Sequence, residues 1–302
     1  MIRCFDEMFE KLRKSDALKR IAVVGASKKV AVEAALDIVE AGLGRPVLFG
    51  NQQEINSFAG EKSENLEIVD CETDEKSAHT AVDYVKKGEI DIILKGSVPT
   101  ATLMKAVLRR ENGLKSSPVL SDVFIYEDPM RKEGDKRLIG LTDGGLIPAP
   151  DLETKIAITE SAVDVFHSLG FEKPKVAYIS AVEKVTDKIP STVDAAEIKK
   201  RHENGEIKIN AHLDGPFAID NVISKKAAEI KGINSVMAGS ADILVMPNIE
   251  TGNVLGKLVN YYGNAQNGHV IKGASVPVLI TSRADDSRTK LNSVALGILA
   301  SM

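Results

Sequence analysis

Tryptophan is absent from the 302 residues, and Phe and Tyr bring the aromatic share to only 4%. Surfaces that stack bases need rings, so a single-strand nucleic-acid platform is not expected. Excess positive charge is missing too. Lys and Arg total 39 against 43 Asp and Glu, a net charge of −4, where nucleic-acid binding leaves a clustered basic footprint. Cysteine is nearly absent. Cys4 and Cys71 have no metal-ligand spacing, and two thiols in a long chain fit a reducing cytoplasm. The histidines, His79, His167, His202, His212 and His269, are scattered. No run approaches the ~18 apolar residues of a membrane span, and the opening MIRCFDEMFEKLRK lacks a signal-peptide core. There is no GxSxG, no HExxH and no Walker motif, and VVGASKKV (23–30) holds one glycine, too few for a dinucleotide fingerprint. Neither a metal nor a bound cofactor is expected.

What is there is rhythm. Short apolar runs rich in Val and Ile alternate with helical patterns: IAVVGA (21–26) and a helix over 29–41, PVLFG (46–50), LEIVDC (66–71) and a helix over 75–87, IDIILKG (90–96) and a helix starting near Pro99. This alternation predicts a mostly parallel sheet with helices on both faces. Phe5, Met8, Phe9 and Leu12 mark one face of a short N-terminal helix. Residues 118–147 break the rhythm with two strand-like runs around PMRKEGDK, an expected antiparallel pair. It resumes near 150 with helices over 151–169 and 191–203, a strand over 175–180, a helix near 217–231 and a strand over 241–248, so a second α/β domain is expected there.

In open α/β sheets ligands gather beyond the carboxyl ends of the strands, which makes the polar residues after each strand the candidates. Lys95, Ser97 and Thr100 lie between a strand and a helix start, where N–H groups and hydroxyls attract anions, or where they simply cap the helix. LTDGGLIPAPD (141–151) carries Asp143 in a tight path that also reads as a hinge. Asp214, before Gly-Pro, signals a turn. In VMPNIETGNVLGKLV (245–259), Asn248, Thr251, Gly252, Asn253 and Lys257 open a helix as an anion cradle would. Finally, VLITSRADDSRTK (278–290) turns from a buried strand into a charged elbow. Ser282 and Arg283 stand at the strand end, where a guanidinium can grip phosphate in two bonds. Such a set suits electrostatic group transfer on a phosphate or acyl compound.

Taken in order, KGSVPTATLMKAVL, GLTDGGLIPAPDLETKIAI, LDGPFAIDNVIS, ADILVMPNIETGNVLGKLV and TSRADD resemble the phosphate acetyl/butyryltransferase family from about residue 90 to the end, and its butyryl branch most closely. The resemblance implies two three-layer α/β/α domains with mostly parallel sheets and a cleft between them, an architecture like that of the isocitrate/isopropylmalate dehydrogenases. The expected division is 1–150 plus 278–302 for the first domain and 151–277 for the inserted second. The implied reaction takes butanoyl-CoA, or a similar short-chain acyl-CoA, and phosphate to acyl phosphate and CoA. Coenzyme A is then a substrate, with acyl-CoA and phosphate as the partners, no nucleic acid, no membrane and a homo-oligomeric assembly.

The resemblance also makes Ser282 and Arg283 active-site residues. The family's basic aspartate would fall near Thr289 and Lys290, which carry no carboxylate, so the expected base is Asp285 or Asp286. No cysteine lies in a motif, and direct transfer in a ternary complex is expected. Acetyl transfer is the alternative within the family. The alternatives outside it are a metal- and NAD-dependent decarboxylating dehydrogenase and a non-catalytic acyl-CoA-binding protein.

Overall fold

Val- and Ile-rich runs become strands because β-branched side chains suit a sheet covered on both faces. The computed structural model describes residues 1–14, 18–109, 111, 113–132, 134–281 and 285–302. Its first elements are α1 (Phe5–Arg13), β1 (Lys19–Val24), α2 (Lys29–Glu40), β2 (Gly44–Gly50), α3 (Gln52–Ala59), β3 (Glu67–Asp70), α4 (Asp74–Lys86), β4 (Ile92–Lys95) and α5 (Thr100–Val107). Next come β5 (Ser121–Glu127), β6 (Leu138–Thr142), α6 (Leu152–Ser168), β7 (Lys175–Ile179), α7 (Pro190–Glu203), β8 (His212–Phe217), α8 (Ile219–Ile223) and α9 (Lys225–Ile230). The chain finishes with β9 (Ile243–Val245), α10 (Ile249–Tyr261), β10 (Asn267–Lys272), β11 (Val278–Leu279) and α11 (Ser287–Leu299).

The chain forms two compact units. One joins Phe5–Pro118 to Gly268–Met302. Its strands run in the order β3-β2-β1-β4-β11-β10. All are parallel except β10, which is antiparallel to β11. Ile21 to Val24 and Ile92 to Leu94 are buried throughout, as a sheet covered on both faces requires. The helices fall into two groups, with α2 and α1 against α11, and α4 against α5. The strand order reverses at β1, with β2 on one side and β4 on the other, and the helices that follow β1 and β4 belong to different groups. That is a topological switch point, the place where doubly wound sheets open a crevice.

The other unit joins Met1–Cys4 to Val119–Asn267. Its strands run β5-β6-β9-β7-β8, parallel except for β5 against β6. Phe124, Tyr126, Leu141, Leu244, Phe217 and Met237 share its core.

The units divide at 118/119 and 267/268, whereas the resemblance implies a division at 150/151 and 277/278. The reason lies in strand pairing. β6 takes β9 as its parallel neighbour, with Leu141 opposite Leu244, and this draws 119–150 into the unit that holds β9. β11 pairs in parallel with β4, and α11 packs on α1 and α2. The helix expected near 217–231 is instead the end of β8 and two short helices. Ser224 separates them by capping α9, its hydroxyl accepting from the Ala227 N–H.

Candidate functional site

At the carboxyl ends of β6 and β9 the sequence candidates meet. Thr142 is level with Val245, and the Met246 N–H donates to the Thr142 carbonyl at 2.7 Å. The loops that leave the two strands are therefore neighbours. Asp143 is buried, and one carboxylate oxygen accepts from the N–H groups of Gly145 and Leu146, both at 2.7 Å. The other accepts from the Asp122 N–H at 2.8 Å. Burial pushes this carboxyl above its ordinary pKa, and the nearby Asp122 charge adds to the rise, while the three N–H donors oppose it. Asp143 thus organises the 143–146 turn.

Helix α10 is docked on that turn. Asn248 is its N-cap, accepting at 2.9 Å from the Thr251 N–H and at 2.6 Å from the Thr251 hydroxyl. A Cβ on Gly252 would stand 2.5 Å from the Asp143 carbonyl oxygen, so only glycine lets the helix come this close. Asn253 donates its amide to the Gly144 carbonyl at 3.1 Å. Lys257 is exposed further along the helix. The structure therefore brings Asp143, Asn248, Thr251, Gly252 and Asn253 together.

Asp214 lies elsewhere, on β8, with β7 between it and β9. Its carboxylate pairs with Lys199 at 2.7 Å and accepts from the Ser235 hydroxyl at 2.6 Å. The hydrogen bond that Lys199 donates to this carboxylate raises the Lys199 pKa.

The other group of candidates sits in the Phe5–Pro118 unit, at the switch point. Gly25, at φ +73°, bends the chain off β1. The Ser97 N–H and hydroxyl both donate to the Gly25 carbonyl, at 2.9 and 2.6 Å. The Lys95 ammonium donates to the carbonyls of Gly96 and Val98, at 3.2 and 3.3 Å. Lys95 and Ser97 line a cavity of about 360 Å³, together with Thr281, Lys28 and Lys290. Its apolar wall includes Val30, Ala31 and Ala34 of α2. Thr100, the exposed first residue of α5, is not among its lining residues.

Lys28 and Lys290 were not candidates from the sequence. Lys28 follows β1, so the strand-end rule alone could have found it. Lys290 entered the sequence reading only as a position near which the family's aspartate would fall and which carries no carboxylate here.

Ser282 and Arg283 lie outside the described residues; Thr281, which precedes them, is buried in the cavity wall. Asp286 is the N-cap of α11. Its carboxylate accepts from the Thr289 N–H at 2.7 Å, and this bond, more than the nearby Lys290 and Arg288, holds its pKa below the ordinary carboxylate value. Asp285 is half-buried just before the cap. Among the described residues, no cluster of three or more His, Cys, Asp or Glu is placed to hold a metal ion, and no helix is long and apolar enough to cross a membrane.

The chain is 41% identical over 302 residues to the phosphate butyryltransferase of Clostridium acetobutylicum, covering 99% of this chain and 98% of that one. The crystal structure of a branched-chain phosphotransacylase from Enterococcus faecalis V583 superposes with a TM-score of 0.83 at 30% identity, covering 94% of this chain and 99% of that one. A 4-hydroxythreonine-4-phosphate dehydrogenase from Klebsiella pneumoniae shares the fold alone, with a TM-score of 0.58 at 10% identity over 95% of this chain and 100% of that one; it places the architecture among dehydrogenase-like folds. The family model for phosphate acetyl/butaryl transferases matches residues 74–298, and the chain belongs to that family.

Proposed function

We propose that the protein transfers a short acyl group between coenzyme A and phosphate, with butanoyl-CoA as the favoured acyl donor. The observation that carries this reading is the end-to-end similarity to a phosphate butyryltransferase, which leaves no large segment of either chain unmatched. Acetyl transfer is the second reading, favoured by the breadth of the matching family.

In the acyl-phosphate-forming direction, a phosphate oxygen attacks the thioester carbonyl. The carbon–sulfur bond breaks, and the proton carried by phosphate ends on sulfur. In the reverse direction a base removes the proton of the CoA thiol, whose ordinary pKa is about 8.5, and the thiolate attacks the acyl phosphate. We assign Arg283 to hold the phosphate and Ser282 to donate to the oxyanion. Asp286 is engaged as a helix cap with a lowered pKa, which makes it a weak base. Its neighbour Asp285 therefore takes the base role. The turn built on Asp143 and the start of α10, with Thr251, Asn253 and Lys257, supplies further polar contacts to substrate.

The reaction needs no resident cofactor. Neither Cys4 nor Cys71 forms a disulfide, which supports a reducing, cytoplasmic setting. A homo-oligomer fits the exposed apolar side chains Val254, Leu258, Tyr261 and Tyr262 along α10, and sedimentation velocity tests it.

The deciding experiment follows thiol release from butanoyl-CoA with and without phosphate. Phosphate-dependent release with formation of butanoyl phosphate is expected. Release without phosphate would make the protein a thioesterase. Binding without release would make it an acyl-CoA-binding protein, and NADH formation with Mg²⁺ would make it a dehydrogenase.

A further inference from the structure

The cavity at the switch point has a divided character. Its lining includes the apolar Val30, Ala31 and Ala34 of α2 and the strand residues Val23 and Leu94. It also includes Ser97, Thr281 and three lysines, Lys28, Lys95 and Lys290. Lys95 is held in place by two carbonyls, whereas Lys28 is exposed, as is Val30, so both stand where the cavity meets solvent. A packing defect in a core is apolar throughout; this cavity is not. A volume near 360 Å³ is at the lower end for ligand sites. It suits a small group with an apolar tail and an anionic end rather than a whole nucleotide.

Three independent features locate a ligand here. The first is topological: β1 and β4 are adjacent, with Val23 opposite Leu94, and the helices after them diverge. The second is the charge at the rim. The third is Thr281, which brings the chain into the cavity wall one residue before Ser282.

We infer that this cavity receives the acyl chain being transferred, and that Val30, Ala31 and Ala34 on α2 set its length. The inference rests on the acyltransferase reading and deepens it by naming the residues that choose the substrate. Ala34 is the key position. It is half-buried in the second turn of a helix whose neighbouring Ala31 and Ala35 are buried. A larger side chain there takes volume from the cavity, and the loss falls on the end of a long acyl chain before it reaches a short one. Val30 is 51% exposed, so trimming it opens the cavity without hollowing the core.

The test compares kcat/KM for acetyl-, butanoyl- and hexanoyl-CoA, with phosphate, in the wild type, Ala34→Leu and Val30→Ala. A methylene that no longer fits typically costs about 10-fold or more in discrimination. Ala34→Leu should therefore lower the butanoyl-to-acetyl ratio at least about tenfold. Val30→Ala should raise the hexanoyl-to-butanoyl ratio by roughly threefold or more. If Ala34→Leu does not fold, the exposed Val30 variant decides alone. Ratios within twofold of wild type in every folded variant, with wild-type turnover intact, overturn the inference and leave the acyltransferase reading standing. A wild type that releases no thiol in response to phosphate overturns the reading itself, and the inference with it.

Discussion

Asp143 receives the Asp122 backbone N–H at 2.8 Å, so a buried carboxylate on β6's exit is tied to the opposing strand β5. The same side chain takes two further N–H groups from its own turn. An Asn at 143 has one acceptor oxygen, so its NH₂ must face at least one of these donors. Charge works the other way. Because burial raises this carboxyl's pKa, stability falls as the pH climbs from the unfolded carboxyl's pKa to the raised folded one, the cost is complete above it, and Asn removes that cost. The unpaired buried donor should win. Asp143→Asn is expected to destabilise the protein by about 1–3 kcal/mol, read as a lowered thermal midpoint.

The approach of α10 to the Asp143 turn leaves no room for a methyl group. A Cβ at 252 would meet a carbonyl oxygen and the Gly144 Cα at 2.5 and 2.8 Å, backbone atoms that a rotamer change cannot move. Gly252→Ala should cost about 1–3 kcal/mol. Asn248→Ala removes only the cap and should cost about 0.5–2 kcal/mol. Calorimetry of the two variants ranks them; a Gly252→Ala protein as stable as the wild type would refute the close approach.

The paired carboxylates at 285 and 286 should separate by their effects. Asp286→Ala loses a cap, worth about 0.5–2 kcal/mol of stability. Asp285→Asn should lower turnover by about 10²–10⁴-fold, the range for loss of a general base. If Asp286→Asn instead carries the loss of turnover, the base is Asp286.

Acid stability should depend on Glu183. Its carboxylate accepts from Lys231 at 2.8 Å and from the Asn221 amide at 2.6 Å. These bonds, with Lys231 first, hold its pKa down to about 2, against about 4.3 in an unfolded chain. A depressed folded pKa means the unfolded state binds protons first as the pH falls. The contribution is therefore complete above about pH 4.3 and is lost between there and about pH 2. Glu183→Gln should reduce stability at pH 7 and shrink the difference between pH 5 and pH 3. Thermal midpoints measured across that range check it.

Locally encoded features were the legible ones. The buried face of α1, Phe5, Met8, Phe9 and Leu12, follows from helical spacing, and strands such as β1, β4 and β9 follow from apolar runs, whereas β8 and β10, with no such run, were not legible. The candidates around the strand ends were harder to read because a cap and a ligand group share one signature. Asn248 and Asp286 each stand three residues before a Thr whose N–H they bind, and in sequence Asn248 reads equally as a substrate contact and Asp286 equally as a base. Asp143 looked like a ligand for the same reason, a carboxylate beside glycines. Two of its donors lie in its own turn, and the third, the Asp122 N–H, arrives only once β5 lies against β6.

Residue periodicity, strand-end chemistry and family membership were determined by the sequence itself, because each depends on residues close together in the chain or on their order. Which strands become neighbours was decided only by the tertiary structure. Pairing of β6 with β9 assigned 119–150 to one unit, and pairing of β1, β4 and β11 carried Lys28, Lys95 and Lys290 to a single cavity. The energy that selects such pairings comes from burying whole faces of a sheet, a sum over distant residues that no local pattern contains.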